Sequence, residues 1–382
     1  MALRDRLRAP ASLLALSAAY VLRRPRAMLP ALRIAIEVGV RVRRAPILEP
    51  CPELLAGDLA PVCSLVSDTH LAAPGEAPVE LPLDPGQWPW AALPIGDELA
   101  DGVRRVLERI AADAPHTVIW CGDEVDTGDP AEWMQLREVL AAVPHLTHWM
   151  VPGNHDICFN RPFVVDDDLS RRTARERLYR AYASRVAAFP ITDAIIGDAG
   201  VATIVLLDSC RHRSTHVLSN AIGKFGDDQL AALERILAAT HGPLLCIAHH
   251  HVWRDAQFTH PEAWYNTAVD ADRLAAILVA YRGRAARNHV LVCHGHRHAM
   301  TAGLIAGGVA VVGLPSTTLG DKSLTGQLDG VLRYAVAGLK RDGSGWGVAL
   351  REVGPLIAEP RAASRAAPSL PPNAALRALA AR

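Results

Sequence analysis

Residues 62–70 read Val62-Cys63-Ser64-Leu65-Val66-Ser67-Asp68-Thr69-His70. The run is mostly apolar and β-branched, then turns polar. This predicts a buried strand, Val62–Ser67, with a loop at its carboxyl end. The loop carries a carboxylate and an imidazole two positions apart, so both can turn toward one point. The same grammar returns four times. Thr117–Cys121 runs into Gly122-Asp123-Glu124-Val125-Asp126, and Thr147–Val151 into Pro152-Gly153-Asn154-His155-Asp156. Leu244–Ala248 is followed by His249-His250-His251, and Val290–Cys293 by His294-Gly295-His296-Arg297-His298.

Outward from these blocks, further strands are expected at Val201–Asp208, Val309–Leu314, Leu332–Ala337 and Trp346–Leu350. Helices are expected at Glu98–Ala112, Ala131–Ala142, Arg171–Ala188, Asp227–Ala239 and Asp270–Tyr281. Strands that alternate with helices make the fold α/β. The late strands have little helix between them, so part of the sheet is expected to be antiparallel.

A chain of 382 residues can bury a large core without disulfide staples. Lys+Arg and Asp+Glu both number 40. That balance argues against a nucleic-acid-coating protein, and no nucleic-acid partner is expected. Seven cysteines without a CxxC pair argue against a structural zinc site. Cys121, Cys210, Cys246 and Cys293 read as small core residues in a reducing compartment, so the expected location is cytoplasmic.

Three regions are expected. Residues 1–60 form a basic helical extension, 61–354 a catalytic domain, and 355–382 a disordered Ala/Pro/Arg-rich tail. No apolar stretch reaches the roughly 20 residues of a spanning helix. The run Ala11–Leu22 is flanked by arginines, and residues 1–50 hold only Asp5, Glu37 and Glu49 as acids. Three readings compete for it: a signal peptide, an amphipathic segment peripheral to an anionic membrane surface, or helices packed on the catalytic domain.

The candidate ligands are carboxylates, an amide oxygen and imidazoles, with no thiolate. That set suits Mn, Fe or Zn. Two aspartates, one asparagine and at least four histidines are too many for one ion. They make two sites that share a bridge, the arrangement that clamps attacking and leaving oxygens in phosphoryl displacement.

Taken together, D-x-H, G-D-x-x-D, G-N-H-D, a histidine block and G-H-x-H, in this order from Asp68 to His298, resemble the calcineurin-like metallophosphoesterases. The resemblance covers roughly residues 61–350. It implies a four-layer αββα sandwich of two mixed β-sheets flanked by helices. It also implies two divalent or mixed-valence metal ions, Mn, Fe or Zn. Asp68, His70, Asp123 and His298 would hold the first. Asp123, Asn154, His296 and one of the consecutive histidines would hold the second. Alignment of Leu244–Ala248, with Val252 in place of the family's proline, selects His250, with His249 as the alternative. By the same resemblance, a metal-bridging hydroxide attacks phosphorus, His155 acts as general acid, and Asp126 accepts the other N–H of His155.

Protein phosphatases of the family usually carry arginine where this chain has Thr127. Leu206-Leu207-Asp208-Ser209, the run Gly223 to Leu230, and Pro315-Ser316-Thr317-Thr318 are similar to bacterial class III cyclic-nucleotide phosphodiesterases and their relatives. A small phosphoester, diester or monoester, is the expected substrate. The basic N-terminal stretch raises an alternative, a membrane-surface lipid phosphoesterase or pyrophosphatase. A non-catalytic binding module is a third reading, though no ligand position or general acid is lost. The proline-rich loop 72–97 follows the first block and should rise beside the site. Its Trp88 and Trp90 either stack on substrate or pin the loop. Asp166-Asp167-Asp168 reads as a helix cap. His294 reads as support for the ligands or as strand-end packing.

Overall fold

The structure, a computed structural model, describes residues 40–55, 57–79, 89, 93–113, 115–157, 169–186, 194–197, 200–211, 222–254, 266–323 and 326–357. The run Ala11–Leu22, Trp88, Trp90, Asp166–Asp168, and the tail from residue 358 lie outside them.

Twelve strands occur among the described residues: β1 (Glu49–Pro50), β2 (Leu59–Val66), β3 (Thr117–Trp120), β4 (Thr147–Met150), β5 (Ala194–Gly197), β6 (Gly200–Leu206), β7 (Leu244–Ile247), β8 (Val290–His294), β9 (Thr301–Ile305), β10 (Val309–Gly313), β11 (Val331–Lys340) and β12 (Trp346–Pro355). The helices are α1 (Gly96–Ala112), α2 (Pro130–Ala141), the single turn α3 (Asn154–Ile157), α4 (Leu169–Val186), α5 (Asp227–Ala239) and α6 (Ala271–Gly283). All nine expected strands are present. The sequence reading lacks β1, β5 and β9, each five residues or shorter.

The strands form two sheets, ordered β1-β9-β10-β8-β7-β6-β5 and β12-β11-β2-β3-β4. Each mixes parallel pairs (β2 with β3, β3 with β4, β6 with β7, β7 with β8, β8 with β10) with antiparallel ones. Three apolar layers follow from side-chain alternation. Val66, Val118 and Trp120 pack with Val103 and Leu107 of α1 and Leu136 of α2. Leu244, Cys246 and Val292 pack with Leu233 of α5 and Leu274 of α6. Between the sheets lie Leu65, Ile119, Leu245, Ile247, Leu291 and Cys293. The order is therefore helices, sheet, sheet, helices, as the resemblance implied. Each buried aliphatic side chain contributes roughly 1.5–3 kcal/mol of transfer free energy.

Local signals set the helix starts. Asp129 accepts the Ala131 N–H (2.9 Å), and Glu132 returns to the Asp129 N–H (3.1 Å), a capping box with Pro130 in the first turn. Glu98 accepts the Ile95 N–H (3.0 Å). This starts α1 at Gly96, two residues before the periodicity suggests. The result that matters for function is directional. The parallel strands β2, β3, β4, β7 and β8 all end at the same rim, where α/β sheets bind ligands.

Candidate active site

The loops after β2 and β3 run side by side. Asp68 N–H reaches Gly122 O (3.0 Å), His70 N–H reaches Asp123 O (3.1 Å), and Asp126 N–H reaches Leu71 O (3.1 Å). The loop after β8 joins them through the His296 N–H, which donates to Asp68 Oδ1 (2.8 Å). The chain before β11 closes from behind. Ser316 Oγ–H donates to Asp68 O (2.6 Å), and Thr318 Oγ1–H to Thr69 O (2.8 Å). These contacts account for Pro315-Ser316-Thr317-Thr318, which sequence similarity marked without giving it a task.

Two clusters result. In the first, Asp68, His70 and His298 place ligand atoms within 4.8 Å of one another. His70 Nε2 lies 3.0 Å from His298 Nε2, which lies 3.5 Å from Asp68 Oδ1. In the second, His249 Nε2 lies 3.1 Å from Asp123 Oδ2, 3.1 Å from Asn154 Oδ1 and 3.0 Å from His296 Nδ1. Asp123 stands between the two, with Oδ2 also 3.9 Å from His70 Nε2. All of these side chains are buried except His296, which is partly exposed.

The consecutive histidines divide. His249, not His250, stands against Asp123 and Asn154. Strand parity explains it. Leu245 and Ile247 point between the sheets, and His249 continues that side. His250 continues the side of Cys246 and Ala248, and its Nδ1 lies 2.8 Å from Ser209 Oγ. It stays close enough to form a ligand-type group with His249 and His296. The tautomer of His249 follows from its neighbour. Nδ1 lies 3.0 Å from Cys121 O and donates to it, which leaves Nε2 for the cluster. Gly122, at φ 92°, permits this approach, since a side chain there would strike the His249 ring.

His155 sits edge-on to His70, ring centres 4.7 Å apart. Its Nδ1 donates to the main-chain oxygen of Asp126 (2.7 Å), while the Asp126 carboxylate is 3.8 Å away. The expected carboxylate contact is therefore made by the carbonyl. The Asp126 carboxylate is engaged elsewhere: Oδ1 lies 3.4 Å from His70 Nδ1, and Oδ2 accepts the Val79 N–H (2.6 Å). Val79 belongs to the 72–97 loop, so the described start of that loop does reach the site. Thr127 is turned away. Its N–H and hydroxyl both donate to Glu132 (2.9 and 2.8 Å) in the cap of α2.

Backbone geometry marks the same residues. Among the described residues, five other than glycine have positive φ: Asp68, His70, Asp123, His296 and His298. Such backbone costs on the order of 1 kcal/mol each and concentrates at functional sites.

The electrostatics are those of a cation site. Burial raises the Asp123 carboxyl, but His249, His155 and His70 outweigh it and hold it well below its usual range. Burial likewise raises Asp68, yet the hydrogen bond and charge of His298 keep it low. Burial lowers His249, but Asp123 prevails and holds it at about 9. The carboxylates therefore demand positive charge between them. The spacing suits a metal: two imidazole nitrogens about 2.1 Å from one ion and at right angles lie about 3.0 Å apart.

Sequence reasoning missed two residues. Asp156 binds three main-chain N–H groups around Asp123. Glu124 is buried beside it, and burial followed by the charge of Asp156 pushes its carboxyl well above the usual range. His294 is packing: it accepts the Trp253 indole N–H (2.8 Å), and burial pushes it down to about 4.

The search of curated proteins gave no match. Solved structures to which the chain is similar include a dimetal phosphatase from Danio rerio (16% identity, 78% of this chain and 99% of that one, TM-score 0.48). They also include phosphopantetheinyl hydrolase from Mycobacterium tuberculosis (16% identity, 68% and 91%, TM-score 0.41). A third is a purple acid phosphatase from yellow lupin, Lupinus luteus (13% identity, 77% and 54%, TM-score 0.45). No helix among the described residues is long and apolar enough to cross a membrane. The family model of calcineurin-like phosphoesterases matches residues 65–300, which hold all five blocks. The chain belongs to the calcineurin-like phosphoesterase family.

Proposed function

We propose that this protein hydrolyses a small phosphodiester at a two-metal centre. The observation that carries the reading is the convergence of donors from five strand ends on one carboxylate, Asp123, with His155 beside them. Asp68, His70, Asp123 and His298 would hold one ion. Asp123, Asn154, His249 and His296 would hold the other. Two such ions, Mn, Fe or Zn, supply polarisation of phosphoryl oxygens and acidification of water.

The chain's own residues do the rest. The Asp126 carbonyl fixes the His155 proton on Nδ1, so Nε2 carries the second proton of the imidazolium and can pass it to the leaving oxygen. General acid catalysis of this kind contributes roughly 10²–10⁴-fold. His155 N–H also holds Asp123 Oδ1 (2.8 Å), which leaves Oδ2 toward the histidines.

The diester preference draws on two features. Thr127 is committed to the α2 cap, so nothing at that position reaches for a phosphate dianion. Ser209, of the block similar to class III phosphodiesterases, supports His250. A second reading, a lipid phosphoesterase on a membrane surface, draws on exposed Val40 and Ile47 interleaved with Arg41, Arg43 and Arg44. Sedimentation with anionic liposomes, with and without residues 1–50, separates the two. Identical sedimentation of both forms removes the lipid reading.

The main test strips the protein of metal, restores Mn²⁺, and compares bis(p-nitrophenyl) phosphate with p-nitrophenyl phosphate. Faster diester hydrolysis that needs metal and is lost in Asp123→Ala is the expected result. Undiminished hydrolysis by metal-free protein would sink the proposal.

A further inference from the structure

Asp156 follows Asn154 and His155, yet its contacts lie in another loop. The side chain is fully buried. Oδ2 accepts the N–H of Gly153 (2.7 Å) and of Asp123 (3.0 Å), and Oδ1 accepts the N–H of Val125 (3.0 Å). Two of these groups belong to the turn after β3, and one to the turn after β4. One carboxylate therefore ties the peptide of Asp123 to the loop that presents Asn154 and His155. Charge-assisted bonds of this kind are about twice as strong as neutral ones.

The tie acts on a strained element. Asp123 holds φ 53°, a left-handed backbone. Gly153 packs so closely that a side chain there would strike the Asp123 carboxylate and peptide. The two turns thus have little slack. Glu124 lies beside Asp156, equally buried, and meets the Asp156 side chain and its own main-chain N–H. It accepts none of the Asp123, Val125 and Gly153 N–H groups and so serves as the natural comparison.

We propose that Asp156 is a positioning residue of the centre: by gathering the Asp123, Val125 and Gly153 N–H groups on one carboxylate, it sets the separation between the bridging carboxylate and Asn154. The proposal rests on the two-metal reading. Asp156→Asn keeps the shape but turns an NH₂ group toward a donor, so at least one of the three bonds is lost.

The test uses the full chain and Mn²⁺ alone, titrated calorimetrically into metal-free protein. It is paired with hydrogen exchange at the Asp123, Val125 and Gly153 amides. In Asp156→Asn the more weakly held Mn²⁺ should lose about 10–100-fold in affinity, the cost typical of a lost outer partner. The three amides should exchange faster, and the metal-free unfolding temperature should stay within a few degrees. Glu124→Gln should stay within about threefold of wild type in affinity. Unchanged affinity in Asp156→Asn, or an equal loss in both variants, overturns the proposal. If Asp156→Asn does not fold, Asp156→Glu replaces it, since both acceptor oxygens remain but are displaced by a methylene. Weakened Mn²⁺ binding in that folded variant supports the role, and wild-type binding overturns it. Failure of both to fold also overturns it, because Asp156 would then be needed by the whole body. Wild-type protein that binds fewer than two Mn²⁺ refutes the two-metal reading itself, a result distinct from all of these.

Discussion

His249 and His294 are both fully buried at the ends of adjacent strands, yet their proton affinities diverge. Burial lowers both. His249 nevertheless rises to about 9, because Asp123 and Asp68 face it. His294 falls to about 4, and its nearest polar partners are an indole N–H and a main-chain carbonyl. His148, buried on β4 and bonded to the Trp120 indole (3.2 Å), also falls to about 4. Enclosure alone strips an imidazole of its proton. Only where carboxylates converge does a buried imidazole keep a positive charge. At the same end of the strand pair, one histidine therefore faces carboxylates and the other an indole.

The largest effect should come from removing the countercharge. Asp123→Asn should weaken Mn²⁺ binding at least about 100-fold by calorimetry. Retained affinity would break the contrast outright. Next, His249→Ala should cost about 10–100-fold in Mn²⁺ affinity and His250→Ala less than about threefold. Equal losses would return His250 to the ligand set.

The indole-bonded group should report on stability instead. His148 binds a proton at about 6.5 when unfolded but only at about 4 when folded. Its contribution is present above pH 6.5 and is lost as pH falls toward 4. On the order of 2 kcal/mol of metal-free stability should go with it. Urea midpoints of wild type and His148→Gln between pH 7 and 4.5 measure this, and the variant should show the shallower decline. Smallest, Trp253→Phe removes the donor to His294. It should cost about 1 kcal/mol in the metal-free protein while Mn²⁺ affinity stays unchanged. A drop in affinity would mean that the two histidine groups are coupled.

Much of this organisation is legible in the sequence, and the remainder is hidden for physical reasons. The five polar blocks stand out because each interrupts an apolar strand. The choice between His249 and His250 does not. Leu244-Leu245-Cys246-Ile247 is buried on both faces, so no apolar–polar alternation marks which side faces the other sheet. β9 escapes notice because Thr301–Ile305 is short and half-buried, and follows directly on the histidine block. Asp156 reads locally as the acid of a first helical turn. Its true partners, Asp123 and Val125, lie more than thirty residues upstream. Asp126 was legible as a neighbour of His155, but not which of its oxygens serves. The Val79 N–H holds Oδ2 of the carboxylate, and His155 reaches the main-chain oxygen instead.

The five left-handed residues have an evolutionary consequence. Their bends belong to the main chain, so the cradle exists before any particular donor fills it. Asn, Asp and His are the side chains that visit this conformation most readily after glycine. They are also the donors between which metals discriminate. On the two-metal reading, single substitutions among these three at Asp68, His70, Asp123, His296 or His298 should retune metal preference on an unchanged scaffold. β-branched replacements would have to rebuild the scaffold first. At these five positions the mould favours glycine or a side chain that can bind a cation.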